Sequence, residues 1–199
     1  MPRVLTEADV ADFRERLCQV AERLFAERGL EGVTMRQLAA ELGVSPMTPY
    51  RYFEDKDDIL AAVRASGFDR FAETLENARA AVQGARARGA AVGEAYITFA
   101  FAHPDTYKLM FDLNQPHEEK YPDLVRATRR ARATMSGWVD DLAAEGLISG
   151  DPEQIGSMFW AAAHGAVVLE MAGRLPAGAA RDLHKQLSST LARGLGIPA

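Results

Sequence analysis

The stretch Gly32-Val-Thr-Met-Arg-Gln-Leu-Ala-Ala-Glu-Leu-Gly-Val-Ser-Pro-Met-Thr-Pro-Tyr-Arg-Tyr-Phe53 decides the fold. Thr34, followed three residues later by Gln37, has capping-box spacing, in which side chain and backbone at a helix start satisfy one another. The helix it opens carries Leu38, Ala39 and Leu42 on one face and stops at Gly43. Ser45 then stands at an N-cap position with Pro46 at the first helical residue, where a missing N–H costs nothing. Helix, glycine turn and helix within about 20 residues make a helix-turn-helix.

Working outward, almost everything reads as helix. Upstream, Phe13, Leu17, Val20, Ala21, Leu24 and Phe25 recur at helical spacing over residues 7–28, and Gly29 stands where a left-handed C-terminal cap is wanted. Downstream, Asp55 caps a helix whose acids Asp57 and Asp58 suit its positive end, and whose apolar stripe continues to about residue 82. Residues 84–89 read as a short flexible link. Further helices are expected at 90–102, from Pro104, at 122–145, at 151–173 and at 179–195, with a polar loop at 114–120. No segment alternates in the manner of a strand. The expectation is an all-α chain of about nine helices. An N-terminal three-helix domain (1–55) holds the helix-turn-helix, and a helical bundle for ligand binding and dimerisation (56–199) follows.

Composition narrows the function. Of 199 residues, 48% are hydrophobic, enough for a packed core. No apolar run approaches the roughly 18 residues that cross a bilayer, and Met1 to Glu7 lacks the apolar core of a secretory signal. The single cysteine, Cys18, excludes an internal disulfide framework and a cysteine zinc site, and between Leu17 and Val20 it reads as a small core filler. A cytoplasmic protein without a membrane partner is expected. No Glu-x-x-His pair, phosphate-binding loop, nucleophile elbow or zinc spacing occurs, so no cofactor, metal or catalytic residue is expected. The net charge is −5, and the first 53 residues hold seven arginines against eight acids. Any contact with DNA therefore comes from local donors rather than a general positive field.

Major-groove readers put the N-terminal residues of the second helix at base edges. Here those are Ser45, Met47 and Thr48, followed by Tyr50, Arg51 and Tyr52. A hydroxyl bonds a base edge or a phosphate, and Met47 can cover a thymine methyl. Phenol hydroxyls bond phosphates without positive charge. Lys56 sits at a helix start, where ammonium and backbone N–H groups can share a phosphate, and Arg36 suits a guanine. The same geometry occurs in bundles that never meet DNA; Phe53 reads as core, and Tyr52 fits either role.

The segment from Arg14 to Leu60, about a quarter of the chain, resembles the DNA-binding domain of the TetR/AcrR repressor family. The resemblance rests on Ala21-x-x-Leu24-Phe25-x-x-x-Gly29 and Thr34-x-x-x-Leu38-Ala39-x-x-Leu42-Gly43-Val44-Ser45. It continues through Tyr50-x-Tyr52-Phe53-x-x-Lys56-x-x-Ile59-Leu60. It implies phosphate contacts for Thr34, Tyr50, Tyr52 and Lys56, and base or phosphate contacts for Arg36, Met47 and Thr48. Pro49 departs from the family, which usually has Leu or Ile there. Its missing N–H would have bonded the carbonyl of Ser45, so the second helix is expected to start distorted but still to form.

In the C-terminal part, Trp160-x-x-x-His164-Gly165 resembles the signature of the family's WHG type. The resemblance implies a homodimer through the last two helices, where small residues (Gly156, Ala161 to Ala163, Gly165, Ala166) and Leu183, Leu187 and Leu191 permit close packing. Tyr96, Phe99, Tyr107, Phe111, Met135, Trp138, Phe159, Trp160 and His164 are candidates to line a pocket for a small, mostly apolar effector. For any single one of them, ordinary core packing is the commoner role. The expected function is a ligand-responsive repressor of operator DNA. The alternatives are a helical interaction module that has lost DNA binding and an all-helical enzyme.

Overall fold

Local capping chemistry sets where four of the described helices begin. The structure, a computed structural model, describes residues 6–112 and 118–197. Residues 1–5, and residues 114–117 of the loop expected at 114–120, lie outside the described residues. The elements are α1 (Glu7–Arg28), α2 (Met35–Glu41), α3 (Lys56–Ala80), α4 (Ala85–Ala102), α5 (Pro104–Phe111), α6 (Pro122–Ala144), α7 (Pro152–Met171) and α8 (Ala179–Gly194). Single 3₁₀ turns occupy Pro49–Arg51 and Glu118–Lys120. Thr6 with Asp9 and Thr34 with Gln37 form complete capping boxes at α1 and α2. Asp55 Oδ1 accepts the Asp58 N–H at 2.9 Å at the head of α3, and Asp151 accepts the Glu153 N–H at 3.1 Å ahead of Pro152.

Eight α-helices stand among the described residues, close to the nine or so expected. Three local expectations are corrected. The second helix of the helix-turn-helix is a 3₁₀ turn. The residues read as a link at 84–89 are helical from Ala85 onward. Alanine and arginine favour helix strongly enough to carry the chain through Gly89. Gly29 has φ +70°, but its ψ of 165° sends the chain out extended rather than left-handed.

The chain divides into two compact units. One comprises Met1–Phe68 with Pro104–Thr128, the other Asp69–His103 with Arg129–Ala199. The helix-turn-helix unit thus takes in α5, a later segment than a boundary at residue 55 would include. Its core is Leu17, Ala21, Leu24, Phe25, Val33, Leu38, Phe53, Ile59, Leu60 and Val63, with Cys18, Tyr52 and Leu109 packed against it. α5 lies against α1, where the Thr106 hydroxyl donates to the Glu22 carboxylate. Buried Arg64 donates to the Met110 carbonyl at 3.3 Å and to Glu118 at 2.8 Å, tying α3 to α5 and the turn behind it. Burial pushes the Cys18 thiol up to about 11, so it stays protonated at neutral pH, as a core filler would.

In the second unit α7 packs along α8, and α4 touches both. Asp141 on α6 accepts from Arg79 at 2.8 Å and Arg88 at 3.1 Å, which holds its carboxyl below the usual range and anchors the start of α4. Arg130 grips Glu76 through two nitrogens, at 2.9 and 2.6 Å, and Asp69 at 3.2 Å.

Candidate functional site

The helix-turn-helix is built from α2, a glycine turn and the 3₁₀ turn. α2 ends with the Val44 N–H on the Ala39 carbonyl and the Gly43 N–H on the Ala40 carbonyl, both at 3.0 Å. That paired closure puts residue 43 at φ +66°, which glycine adopts without strain. Ser45 then turns the chain, since its carbonyl takes the Thr48 N–H at 2.8 Å. In an α-helix that carbonyl would take the N–H of residue 49, and Pro49 has none. The next bonds also span three residues: Arg51 N–H to the Thr48 carbonyl at 3.1 Å and Tyr52 N–H to the Pro49 carbonyl at 3.0 Å. A distorted start is expected here. The distortion goes further: a turn at residues 46–47 leads into a 3₁₀ helix confined to Pro49–Arg51, and the Phe53 N–H closes it with a four-residue bond to the Pro49 carbonyl at 3.1 Å.

The turn is clamped from behind. The Arg14 guanidinium on α1 donates to the Tyr52 carbonyl and lies 3.9 Å from the Phe53 ring centroid. Phe13 stacks on Tyr52 with ring centroids 4.3 Å apart. Pro49 and Phe53 are buried, whereas their neighbours Met47 and Tyr50 face water, 67% and 50% exposed. Thr34, Arg36, Ser45 and Arg51 are exposed too, whereas Thr48, Tyr52 and Lys56 are half-buried. Lys56 Nζ donates to the Leu30 carbonyl at 2.7 Å and lies 3.9 Å from Glu31, so part of its donor capacity braces the α1–α2 turn.

The second unit encloses a cavity of about 480 Å³. Its apolar wall is Tyr96 from α4, Met135, Trp138 and Leu142 from α6, and Phe159, Trp160 and Ala163 from α7. Trp138 and Phe159 meet edge to face at 4.9 Å. Gly89 and Gly93, one helical turn apart, also line it. A Cβ on Gly93 would come 2.4 Å from His184 Nε2, so the His184 ring lies against α4 where that position is bare. The polar side is His184, Lys185, Ser188, Ser189 and Arg193 of α8, with Arg86 and Glu94 of α4.

Five of the nine pocket candidates line this cavity: Tyr96, Met135, Trp138, Phe159 and Trp160. The other four do not. Phe99 is core, edge-on to Phe71 at 5.2 Å and against His103 at 4.9 Å. Tyr107 and Phe111, 4.8 Å apart, belong to the helix-turn-helix unit. His164 stands behind the wall, its Nδ1 3.2 Å from the Tyr96 hydroxyl, which also takes the Trp160 N–H at 3.3 Å. Burial depresses the pKa of both His164 and His184, and Lys185 adds to the effect on His184.

The α8 residues escaped the sequence reading, which gave that helix to dimerisation. The missed signal is the pair of i, i+4 rows His184, Ser188, Ala192 and Lys185, Ser189, Arg193. Such rows lie on one helix face. Among the described residues no group of three or more His, Cys, Asp or Glu could hold a metal ion, and no helix is long and apolar enough to cross a membrane.

Comparison with known proteins agrees with this geometry. Residues 17–63 match the family described as bacterial regulatory proteins, tetR family. Residues 90–193 match the tetracyclin repressor-like C-terminal domain. HTH-type transcriptional regulators from Staphylococcus aureus strains USA300 and NCTC 8325 / PS 47 are 38% identical over 63 residues, 32% of this chain. The match spans 34% of the length of those relatives. A solved protein with unknown function from Rhodococcus sp. RHA1 is 31% identical with a TM-score of 0.81, over 98% of this chain and 99% of its own. A bacterial regulatory protein in the tetR family from Rhodococcus RHA1 shares the fold at 18% identity and a TM-score of 0.72, over 98% and 100% of the two chains.

Proposed function

The chain belongs to the tetR family of bacterial regulatory proteins, and from that premise we propose that it is a homodimeric repressor released from operator DNA by a small, mostly apolar effector. The observation that carries the DNA half of this reading is the exposed row on the clamped turn. Met47 and Tyr50 stand in water while their neighbours Pro49 and Phe53 are buried. A thioether and a phenol held out from a braced turn suit a groove better than solvent. Ser45, Thr48, Tyr52 and Arg51 supply further donors around them, Thr34 and Arg36 stand at the head of α2, and the remaining N–H groups of Lys56 are available to a phosphate.

Pairing follows from the way such readers work, since two half-sites about 34 Å apart need two copies. Met158, Val168, Leu169 and Leu187 of the last two helices are large apolar side chains exposed in the single chain. Leu187 lies about 200° around α8 from Lys185, so the dimer face and the cavity wall use opposite sides of that helix. The cavity in the second unit has the size and apolar lining of a small-molecule site. An effector that prefers one conformation shifts the population toward it by its differential affinity and no more. α3 is one continuous helix whose residues fall in both units, which makes it the natural carrier of that shift.

The test is a salt titration of the purified protein on the DNA upstream of its own coding sequence. Binding should weaken linearly on a log–log plot with a slope set by the phosphates neutralised. Arg36→Ala and Tyr50→Phe should each weaken it, and effector addition should abolish it. Absence of a specific complex at every salt concentration would favour an interaction module instead, a reading that the acidic net charge and the proline-altered turn both motivate.

A further inference from the structure

The polar side of the cavity carries a charge pattern that a merely apolar effector would leave unused. Arg86, Lys185 and Arg193 all line it. None of the three makes an ion pair among the described residues. Arg193 bonds only hydroxyls of its own helix, Ser189 at 2.9 Å and Thr190 at 3.2 Å. Elsewhere in the unit Arg79, Arg88, Arg130 and Arg132 are each matched to a carboxylate. The one acid among the lining residues, Glu94, is already paired with Arg181. Three unmatched cations therefore converge from two helices on an apolar chamber, in a chain whose net charge is −5.

We propose that the effector is an amphipathic anion. Its apolar body sits against Trp138, Phe159 and Trp160, and its single carboxylate-like head is held at the rim by Arg86, Lys185 and Arg193. A low-dielectric wall beside a cluster of one sign focuses the field into the chamber. A neutral molecule of the same shape gains the burial without the charge, and a cation meets repulsion. The serine hydroxyls at 188 and 189, between Lys185 and Arg193 on the same face, add donors for the head. Guanidinium and ammonium groups make charge-assisted hydrogen bonds to a carboxylate, stronger than neutral ones. This assignment rests on the effector reading of the cavity.

Both tryptophans of the chain line the cavity, so emission excited at 295 nm reports its occupancy directly. The full-length protein is titrated with decanoate, decan-1-ol and decyltrimethylammonium, and with 5-phenylpentanoate and 5-phenylpentan-1-ol. In at least one series the acid should bind about tenfold or more tighter than its alcohol, with the ammonium compound weakest, and added salt should shrink the gap. The variant R86Q/K185Q/R193Q should bring acid and alcohol together by weakening the acid far more than the alcohol. R193Q alone should close part of the gap. Equal affinity of acid and alcohol, or a preference that survives in the triple variant, overturns the proposal. If alcohols bind and release DNA as well as the acids do, the anionic head is refuted while the effector reading stands. If no member of either series binds, both fall.

Discussion

Gly89 on α4 leaves room for the Trp138 indole on α6: a methyl group at its Cα would come 2.5 Å from Cε3 and 2.7 Å from Cζ3 of the ring. The indole cannot easily yield, because it is buried, edge-on to Phe159, and its N–H is bonded to the Met135 carbonyl at 3.0 Å. Gly89→Ala should gain up to ~1 kcal/mol of helix propensity and lose about 1–3 kcal/mol to overpacking. The expected net effect is a loss of about 1 kcal/mol with altered tryptophan emission, measured by urea denaturation. A variant more stable than wild type would mean that the ring moves freely.

Pro49 offers a second test. Pro49→Leu restores the N–H that an α-helix would offer the Ser45 carbonyl in place of that of Thr48, and the turn should rewind toward α-helix with a gain below ~3 kcal/mol. Hydrogen exchange should find the amide of residue 49 protected. Because the change reorients Met47 and Thr48, base preference at the operator should shift more than the salt slope does. An unprotected amide at 49 would show that something other than proline enforces the 3₁₀ geometry.

The clamp behind the turn should be separable from the DNA surface. Arg14→Gln removes the guanidinium from the Tyr52 carbonyl and from the Phe53 ring. A hydrogen bond from a charged donor contributes about 1.5–3 kcal/mol, and partial exposure of this site puts the expected loss near the lower figure. DNA affinity should fall with no change in salt slope, since no phosphate contact is deleted. A changed slope would make Arg14 itself a phosphate ligand.

Acid should weaken the protein in two windows. The folded chain holds His164 and His184 neutral below the ordinary imidazole value, chiefly by burial. The unfolded chain takes up protons near pH ~6.5, so this contribution is complete above that value and is lost as pH falls through it toward the lowered folded values. Asp141, held low first by Arg79 and then by Arg88, contributes above its unfolded value of about 3.9 and loses that contribution at more acidic pH. Denaturation at pH 7 and pH 5.5 should reveal a smaller loss in His184→Gln than in wild type. Asp141→Asn should be weaker than wild type at pH 7 and converge with it near pH 3.

The helix-turn-helix was legible because its signals are local. Thr34 and Gln37 need only each other to cap α2, and Gly43 needs only its own φ to end it. The same logic located α7 from Asp151 onward, whereas α1 was legible from the helical spacing of its apolar residues. Pro49 was legible as a departure, yet the extent of its effect was not. Whether one lost bond shifts a single turn or the whole segment depends on what clamps the far end, and Arg14 lies 38 residues away in sequence from its partner Tyr52.

The cavity was half legible for a related reason. Aromatic residues at helical spacing announce burial, and burial is the same for Tyr96, which lines the chamber, and Tyr107, which does not. Helical periodicity records which face is dry, never which neighbour dries it. From the order of its residues alone the chain determined most of its helices and the caps of α2 and α7, because those depend on contacts within a few positions. Packing decided the rest: α5 joined the first unit through α1, and α8 turned a row of polar residues onto α4, with His184 arriving where Gly93 is bare. Such closeness arises between segments about ninety residues apart, where only the three-dimensional arrangement can say which side chains meet.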